Sequence, residues 1–333
     1  MRYRRVGSSD LQASVIGLGA INFGNPSRIP DPAGSARVIH AALEAGINFI
    51  DTAEAYTDGE SEMHLGLALR GRRRNEAIIA SKFKLSDYPD GDERAGRSVR
   101  DRIMLSVEAS LRRLQTDHID LYQIHHPEPA VPHEEILEPL HQLVQAGKVR
   151  YIGECNYAAW RHAQSDAASA AHGWPKMVSA QSYYNVLRRQ VEPELLPFCT
   201  ANDIGFIPYR PLATGFLTGK YRPGDPPRPG RKSLAKLAED PHARAVLDGL
   251  TSFVESRGRT LTELAFAWLL AHPALCSVIA GAMTEEQVRT NAAASDWEMT
   301  MAERDEVDEI ARWDGSGEEV EEPGRHSIPV TIR

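Results

Sequence analysis

The stretch SVRDRIMLSVEASLRRLQTDHIDLYQIHH, residues 98–126, decides how this chain folds. Its first part sets Val99, Ile103, Val107, Leu111 and Leu114 at three- and four-residue steps, which is one face of a helix. Its last part, IDLYQIHH (119–126), is a short run with apolar residues on both faces, as buried parallel strands have. The same alternation continues in both directions. Strand-like runs recur at 13–20, 48–53, 77–83, 119–126, 149–156, 178–185, 205–212 and 277–282. Residues 135–147 carry a second helical stripe and end at Gly147, a C′ glycine. TLTELAFAWLLAH (260–272) is apolar nearly all round, so it reads as a buried helix that Pro273 stops.

Strands alternating with helices predict a parallel sheet covered by helices. Eight such units in a chain of 333 residues predict a closed (β/α)8 barrel. We expect one α/β domain over 1–333, with its core at about 12–295 and a C-terminal extension at about 296–333. YRRVGSS and LQASVIG flank Ser8-Ser9-Asp10 and predict an N-terminal β-hairpin that caps the barrel bottom. RPGDPPRPGRK (222–232) predicts a long loop after strand seven.

Composition excludes several classes. With 38 basic and 46 acidic residues the net charge is −8, and no basic tract invites nucleic acid. Cys155, Cys199 and Cys276 are far apart and form no CxxC pair, against a disulfide framework or zinc ribbon. MRYRRVGSSD lacks the apolar core of a signal peptide, and no run approaches the length of a membrane span. The expectation is a soluble, cytoplasmic protein with a small-molecule substrate, no membrane or nucleic-acid partner and no metal.

In such barrels the chemistry lies at the C-terminal ends of the strands. Asp51 ends the second run, Tyr56 follows in its loop, Lys82 is near the end of the third and His125 near the end of the fourth. Any one of these has a plain structural use, as a helix cap, an ion-pair partner or rim packing. Together, at consecutive strand ends, they form a constellation. A buried Lys82 needs a counter-charge, which Asp51 supplies. A phenol beside that ammonium is expected below its usual pKa of about 10, poised as a general acid for a carbonyl oxygen. His125 is placed to hydrogen-bond the same oxygen. Strand residues alternate in facing, so only one of His125 and His126 is expected to point into the site. Cys155 and Asn156 end the fifth run, Gln181 lies on the sixth and Tyr209 ends the seventh.

NFIDTAEAYTDGESEMHLGLAL (48–69), IIASKF (78–83), HIDLYQIHHPEP (118–129), VRYIGECNY (149–157), SAQSYYNVLRR (179–189) and PYRPLATGFLTGKY (208–221) resemble the aldo-keto reductase superfamily over roughly residues 3–295. The resemblance implies reduction of an aldehyde or ketone, or oxidation of the matching alcohol, with NADP(H) or NAD(H). It places the family tetrad on Asp51, Tyr56, Lys82 and His125, with Tyr56 as proton donor. It implies cofactor contacts from Ala20, Asp51, Cys155, Asn156, Gln181, Tyr209, Arg210, Pro211, Leu212, Lys220, Arg231, Gly281, Met283, Gln287 and Asn291. The substrate pocket is expected from Phe23, Tyr56, Lys84, His126 and Tyr157.

Three positions depart from the family pattern. Cys155 stands where relatives usually have Ser, as a weaker donor or a buried filler. Arg210 also stands where Ser is frequent, at the pyrophosphate or at the rim. Met283 and Thr284 stand where NADPH-preferring relatives carry a cation, and Arg289 is either its substitute or a solvated helix residue. The alternative to an enzyme is a nucleotide-binding regulatory module with little turnover. The complete tetrad argues against it, because channel-associated β subunits of the superfamily differ at the His125 position.

Overall fold

A computed structural model describes residues 1–86, 88, 91–221 and 232–312, without the side chains of 232 and 233. The chain opens with a hairpin, β1 (Tyr3–Arg5) and β2 (Gln12–Ser14). Eight βα units follow. They are β3 (Ile16–Gly19) with α1 (Pro32–Glu44), β4 (Phe49–Asp51) with α2 (Glu60–Ala68), β5 (Ile78–Phe83) with α3 (Val99–Leu114), and β6 (Ile119–Ile124) with α4 (His133–Gln145). Next come β7 (Val149–Cys155) with α5 (Ala159–His172), β8 (Met177–Tyr183) with α6 (Leu195–Asn202), and β9 (Gly205–Tyr209) with α7 (Lys232–Glu239), α8 (Pro241–Glu255) and α9 (Leu261–Leu270). The last unit is β10 (Val278–Gly281) with α10 (Glu285–Ala293), and α11 (Met301–Ile310) follows it. Strands β3 to β10 pair in parallel and close into a barrel, with β10 beside β3.

Period-two alternation sorts the strand residues. Ile50, Ile79 and Ile124 face outward into the main core with the helices. Phe49, Ala80, Leu121, Val178, Ile207 and Ile279 face the barrel interior, where they pack on Val6, Leu11 and Ala13 of the hairpin segment. The hairpin thus plugs the bottom of the barrel. Gly7 permits this close approach: its φ is +51°, and a Cβ there would lie 2.2 Å from the Val178 carbonyl oxygen. Arg4 fastens the plug by donating to the carbonyls of Leu275 and Leu270, both at 2.7 Å. The interior register then carries Asp51, Lys82, Cys155, Gln181 and Tyr209 toward the open upper end.

Local chemistry explains the ends of the helices. Ser98 caps α3 by accepting from the Asp101 N–H at 3.1 Å. Gly147 follows α4 with φ +70°, as expected of a C′ glycine. Thr260 and Glu263 form a capping box on α9, which is buried along nearly its whole length.

The structure differs from the expectation in one place and adds helices in two stretches that the sequence reading leaves unassigned. The run 13–20 is broken at Val15 into a hairpin strand and a barrel strand. Helices α7 and α8 fill much of the connection after β9, with Asp240 capping α8 and Pro241 in its first turn. Helix α11 stands in the C-terminal extension, started by the Thr300–Glu303 capping box. Arg231, with the rest of 222–231, and residues 313–333 lie outside the described residues.

Candidate active site

Asp51 is the last residue of β4, and Lys82 lies one residue before the end of the neighbouring β5. Both are buried, at 2% and 0% exposure. The Lys82 Nζ lies 2.7 Å from the Asp51 carboxylate, 2.9 Å from the Thr52 carbonyl oxygen and 3.3 Å from the Tyr56 hydroxyl. All three ammonium protons therefore have acceptors, which is what makes a fully buried lysine tolerable. Gln181 donates from Nε2 to Oδ1 of the Asp51 carboxylate at 2.8 Å, an oxygen that the Lys82 ammonium also reaches. Tyr56 is held in a short turn in which Thr57 and Asp58 adopt φ +51° and +52°. Its ring meets His125 edge to face, with centroids 5.9 Å apart.

The protonation states follow from burial and neighbours. Burial pulls the Lys82 ammonium down, but Asp51 and Tyr56 more than offset this, and its pKa ends above the usual value. Tyr56 is the correction. Burial raises its phenol, Lys82 lowers it, and the net result is a rise to about 12 rather than the expected fall. Desolvation of the phenolate outweighs one nearby cation already shared with Asp51. His125 is pushed well below its ordinary value by burial first, then by Lys82, His126 and Lys84, so it is a neutral imidazole at pH 7.

The two histidines follow the end of β6 at Ile124, where the His125 N–H still donates to the Phe83 carbonyl oxygen at 2.8 Å; His125 is half-buried and His126 exposed. Their rings stack on one side, with centroids 4.5 Å apart and planes 7° apart.

Asn156, at φ +63°, donates to the His125 carbonyl oxygen at 3.1 Å and accepts from the Tyr209 hydroxyl at 2.8 Å. Cys155 is buried against Gln181, Sγ to Oε1 at 3.6 Å. Tyr209 is half-buried and stacked on Tyr183, with centroids 5.6 Å apart. Arg210 is exposed at φ +55°, Pro211 is buried, Leu212 is half-buried and Lys220 is exposed. Ala20 is buried and donates its N–H to the Asp51 carbonyl oxygen at 2.8 Å.

Of the expected rim residues, His126 is exposed and Lys84 half-buried. Phe23 and Tyr157 are not at the rim, being 0% and 2% exposed. Both belong to the core cluster between barrel and helices, where apolar packing claims their rings.

At the end of β10, Gly281 is exposed, and a Cβ there would meet only Asn22 Nδ2 at 3.4 Å. Thr284 caps α10, and Gln287 Oε1 accepts from the Met283 N–H at 2.8 Å. Asn291 is buried one turn on. Arg289 lies on a solvated face, 3.9 Å from Glu285. The site therefore combines open space at a helix N-terminus, amides and an accessible ring, which fits a nicotinamide dinucleotide.

Sequence reading missed three contributors. The Thr52 carbonyl gives no side-chain signal. Gln181 was assigned to a cofactor and not to Asp51. Glu54, 6% exposed, lies inside the Asp51–Tyr56 interval as a carboxylate where packing residues would be expected.

The family model for the aldo/keto reductase family matches residues 15–312. The chain belongs to the aldo-keto reductase family. It is an NAD(P)H-dependent oxidoreductase. A versiconal hemiacetal acetate reductase of Aspergillus parasiticus is 31% identical, over 91% of this chain and 95% of the relative. An uncharacterized oxidoreductase, YrpG, of Bacillus subtilis (strain 168) is 34% identical, over 87% and 89%. A probable voltage-gated potassium channel subunit beta of Arabidopsis thaliana is 31% identical, over 89% and 92%. Among the described residues no helix is long and apolar enough to cross a membrane, and no group of three His, Cys, Asp or Glu is placed to hold a metal ion.

Proposed function

We propose that this aldo-keto reductase reduces a small aldehyde or ketone, or oxidises the matching alcohol, with NADP(H) and with Tyr56 as the proton donor. The observation that carries the reading is the Lys82 Nζ, 2.7 Å from Asp51 and 3.3 Å from the Tyr56 hydroxyl. A bound reduced nicotinamide supplies the hydride. Tyr56, protonated through neutral pH, hands its proton to the carbonyl oxygen. Lys82 then stabilises the phenolate, and Asp51 fixes the ammonium between them. Neutral His125 donates an N–H to the same oxygen and sets the angle of the carbonyl. Asn156 and Gln181 would hold the carboxamide of a bound nicotinamide, Tyr209 would stack on its ring, and Gln287 and Asn291 would take the adenosine end.

Cofactor preference rests on the helix that receives the adenosine. No cation stands at Met283 or Thr284, and Glu285 and Glu286 occupy the first turn of α10. Two carboxylates there oppose a ribose phosphate, so NADPH is expected to be favoured only modestly over NADH.

The test is tryptophan quenching with each cofactor, followed by a panel of carbonyls read at the reduced-nicotinamide absorbance band. Binding with turnover of a panel member supports the reductase. Binding without turnover of any member favours the regulatory module, for which the similarity to a channel β subunit is the specific observation.

A further inference from the structure

A buried carboxylate that the mechanism does not use lies two residues before Tyr56. The side chain of Glu54 is 4% exposed, and both its oxygens are bound. Oε1 accepts from the Lys84 N–H at 2.9 Å, and Oε2 accepts from Arg94 Nη1 at 2.6 Å. The Glu54 N–H itself donates to the Lys82 carbonyl oxygen at 3.1 Å. One residue therefore ties the Tyr56 segment to the end of β5 through both its main chain and its side chain.

Arg94 anchors the other end. Its Nε and Nη2 grip Asp92 at 2.9 and 2.7 Å, and its Nη1 also donates to Ser106 of α3 at 3.0 Å. Its guanidinium lies over the Tyr88 ring, 4.5 Å from the centroid. The fork is thus held in one orientation before it reaches Glu54.

The segment so held is strained. Thr57 and Asp58, directly after Tyr56, take left-handed backbone angles. Such angles persist only where the surroundings over-determine them. We infer that Glu54, braced by Arg94, is a positioning residue that keeps the Tyr56 hydroxyl in reach of Lys82 and of the carbonyl oxygen. The inference rests on Tyr56 being the proton donor. Both Glu54 oxygens are taken up by the Lys84 N–H and Arg94, so the strut acts by placing the segment that carries the Tyr56 hydroxyl.

The experiment compares E54A, E54Q, R94M, Y56F, E54A/Y56F and R94M/Y56F on a carbonyl that the wild type reduces, with NADPH affinity read by tryptophan quenching. Misplacing a reacting group predicts kcat lower by about 10- to 100-fold in E54A and R94M, with NADPH affinity changed by no more than about two-fold. E54Q, which keeps an acceptor for the Lys84 N–H, recovers part of the loss. With the Tyr56 hydroxyl gone, E54A and R94M lower kcat no further. Wild-type kcat in R94M and E54A overturns the strut. So does an equal loss with and without the hydroxyl, which is the signature of a merely structural role. If E54A does not fold, the R94M pair decides, because Arg94 is on a part-exposed loop. Full turnover by Y56F overturns the proton-donor assignment itself, and the strut with it.

Discussion

The imidazole of His126 lies flat on that of His125, with ring centroids 4.5 Å apart. A proton on His126 raises the cost of a proton on His125. Burial, Lys82, His126 and Lys84 all depress His125, so its charged form is suppressed on the acid side of its usual value of about 6.5. The neutral form holds above that pH and is lost only well below it. The reduction rate at saturating substrate is therefore expected to cross pH 6.5 without an acid limb from His125. A limb centred there, abolished by His125→Gln, would contradict this protonation state.

Tyr56→Phe removes one oxygen and leaves the ring. Loss of a general acid predicts turnover lower by about 10²–10⁴-fold, while cofactor binding is retained. Steady-state rates and fluorescence titration on the same samples check both halves.

The phenol at about 12 sets opposite pH trends for the two directions. Carbonyl reduction needs the protonated form and holds through pH 9. Alcohol oxidation needs the phenolate and rises as pH rises toward 12. A reduction rate that halves below pH 10 would contradict the dominance of burial over the Lys82 charge.

Lys82→Met leaves the Asp51 carboxylate buried without its cation. Breaking one partner of a buried pair predicts a loss of about 3–5 kcal/mol, read as a lower midpoint in urea. It also removes the group that lowers the Tyr56 phenol, so the base limb of reduction moves further up. An unchanged midpoint would show that Gln181 and solvent satisfy Asp51 alone.

Glu285 and Glu286 in the first turn of α10 bear on cofactor choice. Replacing either with Gln is expected to raise NADPH affinity relative to NADH by about two- to five-fold, the usual range for one charge at a helix N-terminus. Equal affinity ratios before and after the replacement would remove the ribose phosphate from this helix.

The barrel and the four central residues were legible because they repeat a rule. A strand run is short and apolar, and its last inward position is polar, as at Asp51 and Lys82. What was not legible arises between elements. The phenol's direction depends on how burial and Lys82 balance, and no spacing encodes that. Phe23 and Tyr157 read as rim because aromatic residues after strands commonly line mouths, yet the core took their rings. Helix α8 was in fact legible, since Ala243, Val246, Leu250, Phe253 and Val254 recur at helical steps behind the Asp240 cap, whereas α11 buries only Val307 and announces itself by the Thr300–Glu303 capping box. The partners of Glu54 lie 30 and 40 residues along the chain, beyond any local pattern.

The pairing of β3 with β10 joins residues 16–19 to residues 278–281. During synthesis the first barrel strand must therefore wait for nearly the whole chain to be translated before it finds its last neighbour. Until then the growing sheet keeps two unpaired borders, and the Arg4 anchor lacks the carbonyls of Leu270 and Leu275. A message truncated anywhere before codon 281 yields an open sheet that invites aggregation, not a smaller enzyme.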